Sequence, residues 1–162
     1  MRIHDYSSKA FLLLAALCFF CGLTACSRVS VDRAWPDDAV PFGGHYYKVF
    51  EVEEMSWHEK KAACEAMGGY LCCIETAEEQ AFIAALAAER YLSLGGTDEA
   101  EEDVWVWVNG APVDFTAWYP NQPNNYGDEE DYLATYDDGL WVDVAVEGLD
   151  FWMPTGYICE WE

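Results

Sequence analysis

The chain has 162 residues, of which 30 are Asp or Glu and 8 are Lys or Arg, for a formal net charge of −22 at pH 7. A field of that sign argues against nucleic acid and anionic lipid surfaces as partners and favours cations. The length suits one domain, and 52% hydrophobic and 16% aromatic residues are enough to build its core. So few bases cannot pair so many acids, so most carboxylates are either solvated or available to a metal.

Residues 1–25 read as an export signal. Arg2 and Lys9 supply a positive start, and AFLLLAALCFFCGLTAC follows, an apolar run of signal length that is short for a bilayer span. It ends in Leu23-Thr24-Ala25-Cys26, which resembles a bacterial lipobox. That resemblance implies a lipidated Cys26 and a membrane tether through acyl chains. Ser27 after it, by resemblance to Gram-negative lipoproteins, favours the outer membrane of a bacterial cell envelope. The plainer alternative is an ordinary secretory signal or an uncleaved anchor. Cleavage would remove Arg2, Lys9 and Asp5 and leave 6 bases against 29 acids. Residues 26–41 carry two prolines and no period, and are expected to form a lipid-anchored tether. The folded domain is then expected over 42–162.

GHYYKVFEV alternates and is aromatic-rich, as a strand does. Ser56-x-x-Glu59 is a capping box that opens a helix through Met67, and Gly68-Gly69 stops it. YLCCI reads as a short buried strand. Thr76-x-x-Glu79 is a second capping box, followed by a helix with Phe82, Ile83, Leu86 and Ala87 on one face. His58, mid-helix, is expected to face solvent. YLSL and VWVWV are further short strands, the latter closed by Asn109-Gly110 as a tight turn. WYPNQPNNYGDEED, Trp118 to Asp131, is a long polar loop, and loops of that length in compact domains are usually functional or metal-held. DYLATY and LWVDV form a hairpin around Asp137-Asp138-Gly139, and GYICEWE is the last strand. The sum is an α+β domain, two helices to one side of mostly antiparallel short strands, with one long polar loop.

Cys64, Cys72, Cys73 and Cys159 remain for an oxidising compartment, where three pairings are open. Cys72 and Cys73 are adjacent on the expected strand. They should therefore point to opposite faces, one in the core and one semi-exposed.

Taken in order, Trp57, the helix with Cys64, Gly68-Gly69-x-Leu71-x-x-Ile74, Glu78-Glu79-x-x-Phe82-Ile83, Tyr91-Leu92-Ser93-Leu94 and Trp105-x-Trp107-x-Asn109-Gly110 form one pattern. Trp118-x-x-x-Gln122-Pro123-Asn124-Asn125, Gly127 to Asp131, Trp141-Val142-Asp143 and Tyr157-Ile158-Cys159-Glu160 complete it. This order resembles a C-type lectin-like domain over nearly all of 42–162. The resemblance implies a disulfide between Cys64 and Cys159, closing a loop of about 95 residues and contributing roughly 4 kcal/mol in the chain-entropy model. The family's frequent second bridge would fall on Tyr132 and Val146, so apolar contacts must hold the hairpin instead.

The resemblance also implies a site. Ca2+ takes six to eight oxygens, and the family's sugar-binding ion is held by two side chains flanking a cis proline. Here these are Gln122 and Asn124 around Pro123, joined by Glu130 and by Asp143. The family's asparagine between the tryptophan and the aspartate is replaced by Val142, which offers no amide. The Gln-Pro-Asn triplet mixes the family's mannose-type and galactose-type patterns, so the sugar is not legible. A second, structural calcium position maps onto Asp98, Glu102, Asn125, Glu130 and Asp131. Trp105, Trp107, Trp118 and Trp141 read as core and loop anchors, and Tyr119 and Tyr126 as contact-surface candidates.

Three functions follow for comparison. The expected one is a surface-anchored lipoprotein binding a glycan, with calcium. The alternative is a calcium-independent module recognising a surface protein. An enzyme is not expected. No Ser/His/Asp or Cys/His arrangement is present, and no carboxylate pair is set in an apolar frame that would split its pKa values.

Overall fold

A computed structural model describes residues 35–146 and 154–162. The expected signal 1–25 and the lipidation site Cys26 lie outside the described residues. In chain order the elements are β1 (Val40–Phe42), β2 (His45–Glu51), α1 (Trp57–Ala66), β3 (Tyr70–Leu71), α2 (Ala77–Ala87), β4 (Ser93–Thr97), β5 (Val106–Trp107), β6 (Tyr132–Thr135), β7 (Trp141–Val144) and β8 (Gly156–Trp161). The main sheet runs β1-β2-β8-β4-β6-β7, with β3 on β8 and β5 on β4. All pairings are antiparallel except β4 against β8. The fold is the expected α+β.

β1 starts at Val40, and Trp35 stacks on Tyr46 with ring centroids 3.9 Å apart. The domain therefore takes in residues that composition alone assigned to the tether. Ser56 caps α1 as expected: its side chain accepts the Glu59 N–H, and Glu59 accepts the Ser56 N–H. At α2 the box is half formed. Thr76 accepts the Glu79 N–H, but the Glu79 carboxylate accepts the Glu75 N–H and the Tyr47 hydroxyl instead. Glu79 is thus spent on joining α2 to β2.

Alternation along β8 divides the interior. Ile158 joins Tyr47, Ile83, Ala87, Leu94, Leu133 and Trp141 in one cluster. Tyr157, Cys159 and Trp161 join Trp57, Cys64, Tyr132, Val142 and Val144 in another. The helices consequently do not share one side as expected. α2 serves the first cluster and α1 the second, because β6 and β8 bury both of their faces.

Cys72 and Cys73 are a correction. Both are buried and both fall in the first cluster. The strand ends at Leu71, so strict alternation stops before this pair. Cys64 and Cys159 are a second correction. No bridge joins them; both are buried free thiols. They are in contact, and a hydrogen bond to Cys159 together with burial holds the Cys64 thiol well above its ordinary pKa. Tyr132, at one position of the family's second bridge, fills the space with its ring, 4.7 Å from Trp57, and hydrogen-bonds His58 at 3.1 Å.

Two polar groups, one half-buried and one buried, tie layers together. Gln80 of α2 donates to the Gly139 carbonyl at 2.8 Å and accepts the Trp141 indole N–H at 2.7 Å. Gly139 has φ +74, and a Cβ there would lie 2.4 Å from Ala84, so the hairpin turn meets α2 at backbone distance. Glu160, 3% exposed at its side chain, accepts from the Cys73 N–H, the Tyr70 hydroxyl and the His45 ring. Burial pushes its carboxyl up to about 7, with the charge of Glu79 adding to the shift and the Cys73 N–H opposing it.

Gln80→Ala would orphan a buried indole N–H and loosen α2 from the hairpin. A loss of about 1–3 kcal/mol is expected in denaturant unfolding. Glu160 in the folded state keeps a proton that the unfolded chain releases near 4.5. Stability contributed by this group therefore falls as pH rises from about 4.5 to about 7. Unfolding titrations across that window should show a shallower decline for Glu160→Gln than for the wild type.

Candidate functional site

The loop from Trp118 to Asp131 is built from both its ends. Trp118 bridges to Trp141, and Tyr119 N–H donates to the Trp141 carbonyl at 2.8 Å. Trp118 also meets Trp105 and Trp141 edge-on, at 5.0 and 5.8 Å. Trp107 and Trp141 are buried and Trp105 and Trp118 partly so, which fits the anchoring expected of all four. Within the loop Asn121, Asn125 and Asp128 take φ of +71, +42 and +60. Asn and Asp tolerate this region best after glycine. Part of the loop's polar composition is therefore conformational.

The Gln122–Pro123 peptide is cis, as expected. The Asn124 side-chain amide donates to Gln122 Oε1 at 2.6 Å. The centre of the loop is held by Asp143 from β7. Its Oδ2 accepts the backbone N–H of Asn124 at 2.8 Å and of Asn125 at 2.6 Å. Asn125 Oδ1 in turn accepts the Glu130 N–H at 3.1 Å, and Glu130 Oε2 accepts the Tyr126 N–H at 2.8 Å. Gln122, Asn124, Glu130 and Asp143 thus line one cavity of about 440 Å³, together with Val142.

Asp143 is 2% exposed, and its Oδ1 is buried without a hydrogen-bond partner. An unsatisfied buried acceptor costs about 1–3 kcal/mol, more for a charged group. Burial holds the Glu130 carboxyl above its ordinary pKa, and the charge of Asp143 adds to the shift. The two carboxylates therefore share one electrostatic field at the cavity wall.

Asp98 repeats the pattern. It is 3% exposed, its Oδ1 has no partner, and its Oδ2 accepts the Asp103 N–H at 3.0 Å. Burial raises its carboxyl to about 6, with Glu102 and Asp131 contributing. Asp98 N–H also donates to the Asp131 carbonyl at 3.1 Å. Of the five residues mapped onto a structural ion, Asp98, Glu102 and Asp131 thus form one neighbourhood, while Asn125 and Glu130 engage the loop beside Asp143. Among the described residues no three His, Cys, Asp or Glu side chains converge as a ready metal cage. Oxygen donors in this arrangement, with two buried carboxylate oxygens unsatisfied, still fit a hard cation in kind.

Tyr119 and Tyr126 both line the cavity, and Tyr126 is 71% exposed. Sequence reasoning missed Tyr91, Tyr136, Val144 and Ala145, which line it too. They sit at strand ends with no local motif, so only the folded sheet could bring them there.

The Lectin C-type domain model matches residues 53–160. The chain belongs to the C-type lectin domain family. It is 34% identical over 143 residues to "Hepatic lectin" of Gallus gallus, covering 87% of this chain and 61% of that protein. It is 35% identical over 133 residues to "CD209 antigen-like protein A" of Mus musculus, covering 78% of this chain and 55% of that protein. The chain therefore spans under two thirds of either relative. Both relatives are vertebrate proteins, and neither name speaks to a bacterial lipid anchor. Among solved structures, the carbohydrate-recognition domain of mouse Scavenger Receptor C-type Lectin matches with TM-score 0.70 and 28% identity, over 79% of this chain and 98% of that one. A calcium-independent type II antifreeze protein matches with TM-score 0.67 and 26% identity, over 78% of this chain and 92% of that one. Proteins of this family are in general binding modules without turnover.

Asp143→Ala should remove the acceptor that gathers two loop N–H groups. Limited proteolysis between 118 and 131 is expected to accelerate. Unfolding should lose on the order of 2 kcal/mol, as charged hydrogen bonds are worth.

Proposed function

We propose that the domain binds a glycan through a calcium ion held by Gln122, Asn124, Glu130 and Asp143. The observation that carries this reading is the convergence of these four oxygen-bearing side chains on one cavity, with Asp143 Oδ1 buried and unpartnered. A bound Ca2+ would satisfy that oxygen, offset the charge shared by Glu130 and Asp143, and polarise two sugar hydroxyls. Asp98, Glu102 and Asp131, with Asn125 and Glu130, are proposed for a second, structural ion. Relatives whose names describe lectins support the ligand class.

The proposal extends to placement. Arg2, Lys9, the apolar run and Leu23-Thr24-Ala25-Cys26 support a lipid anchor at Cys26 that would hold the domain at a bacterial cell surface, on the outer membrane, with the residues between Cys26 and Trp35 as its tether.

One observation favours a second reading, calcium-independent recognition of a surface protein. Val142 stands where the clamp needs an oxygen donor, and a structural neighbour is described as calcium-independent.

Calcium should raise the melting temperature of the chain and EDTA should reverse the rise. At a hundred-fold excess over Kd the gain is about 2.7 kcal/mol. Asp143→Asn should abolish the shift. A glycan array that stays blank with calcium present would overturn the glycan reading. Melting indifferent to EDTA would favour the protein-recognition reading.

A further inference from the structure

Gln80 does not line the clamp cavity. Its side chain nonetheless holds, from α2, the strand that shapes the loop. One amide makes two bonds there. Nε2 donates to the Gly139 carbonyl at 2.8 Å, and Oε1 accepts the Trp141 indole N–H at 2.7 Å. A glutamine carries its donor and its acceptor on a single group. The two bonds therefore fix the turn before β7 and the first residue of β7 relative to each other and to the helix. The turn itself lies against Ala84 at Gly139, which leaves it no room to slide inward.

Trp141 is where core and loop meet. It is fully buried, and its ring takes Trp107, Phe115 and Trp118 edge-on at 5.5, 5.8 and 5.8 Å. Its N–H donates to the Ala117 carbonyl and its carbonyl accepts the Tyr119 N–H, both at 2.8 Å. Both backbone groups are thus spent on the segment that opens the loop. Residues i and i+2 of a strand share a face. Asp143 therefore leaves β7 on the side of Trp141, while Val142 and Val144 join the other cluster. From that side Asp143 Oδ2 gathers the N–H groups of Asn124 and Asn125 at 2.8 and 2.6 Å. A buried indole N–H without an acceptor is costly. Without the amide the indole must turn or draw in water, and the face that carries Asp143 turns with it.

We infer that Gln80 is a positioning residue of the clamp: through the Trp141 indole it sets the depth at which Asp143 meets the loop, and so the shape in which Gln122, Asn124 and Glu130 are presented. The effect on ion affinity rests on the calcium reading above, whereas the effect on the loop is present in the free protein.

Three variants of the full chain test this. Gln80→Met keeps the length and loses both bonds. Gln80→Asn keeps the amide but falls one methylene short of spanning its two partners. Tyr47→Phe is the control, because it frees α2 from β2 at Glu79 and leaves β7 untouched. Without calcium, hydrogen exchange at the Asn124 and Asn125 amides should be about ten-fold faster in both Gln80 variants, with a displaced Trp141 indole resonance, and unchanged in Tyr47→Phe. Calcium should bind both Gln80 variants about ten-fold more weakly, the lower end of what supports behind metal ligands contribute. That comparison is made at a temperature where melting curves show every chain folded, and Tyr47→Phe should keep wild-type affinity. Wild-type exchange at Asn124 and Asn125, or wild-type calcium affinity, in both Gln80 variants would overturn the inference and leave the calcium reading standing. Equal effects in Tyr47→Phe would overturn it as well, since any loosening of α2 would then suffice. A wild type that ignores calcium would overturn the calcium reading, and the exchange rates would still decide the role of Gln80.

Discussion

Strand β8, from the C-terminal end of the chain, pairs with β2 over six residue pairs and also meets β3 and β4. Its alternation sends Ile158 to one hydrophobic cluster and Tyr157, Cys159 and Trp161 to the other. A strand buried on both faces must be apolar at nearly every position. The exception is Glu160, whose buried carboxyl group accepts from three donors. Both helices take their places from this strand, α1 on the Cys159 side and α2 on the Ile158 side.

The long loop has no strand of its own and few apolar contacts, so its shape depends on what the sheet offers it. Trp118 and Tyr119 attach it to Trp141, and two residues further along β7 Asp143 collects the N–H groups of Asn124 and Asn125. Trp141 is in turn held by Gln80 of α2. Core and site are therefore mechanically continuous. The strand that fills the core with Trp141, Val142 and Val144 also supplies the carboxylate that shapes the loop.

Much of this was legible in the residues. The Ser56-x-x-Glu59 box, the Gly68 stop, the hairpin about Gly139 and the anchoring tryptophans all depend on local chemistry, and the structure bears them out. Reading failed where a distant partner competes with the local rule. Glu79 leaves its capping role because Tyr47 is within reach. Cys73 is buried because the chain leaves the strand after Leu71 to meet Glu160. Residues 35–41 join the domain because Tyr46 provides a ring for Trp35. None of these partners is near in sequence.

The sequence by itself determined the kinds of atoms available. It determined an excess of carboxylates, amides about a proline in a long polar loop, and enough alternating apolar residues for an α+β core. These are matters of composition, period and order, which act locally. Only the tertiary structure decided that Gln122, Asn124, Glu130 and Asp143 face one cavity, that two carboxylate oxygens are buried without partners, and that Tyr91 and Tyr136 line the same cavity as the four. Those facts depend on strand register and on the depth at which β7 lies in the sheet, and both are set by contacts between residues far apart in the chain.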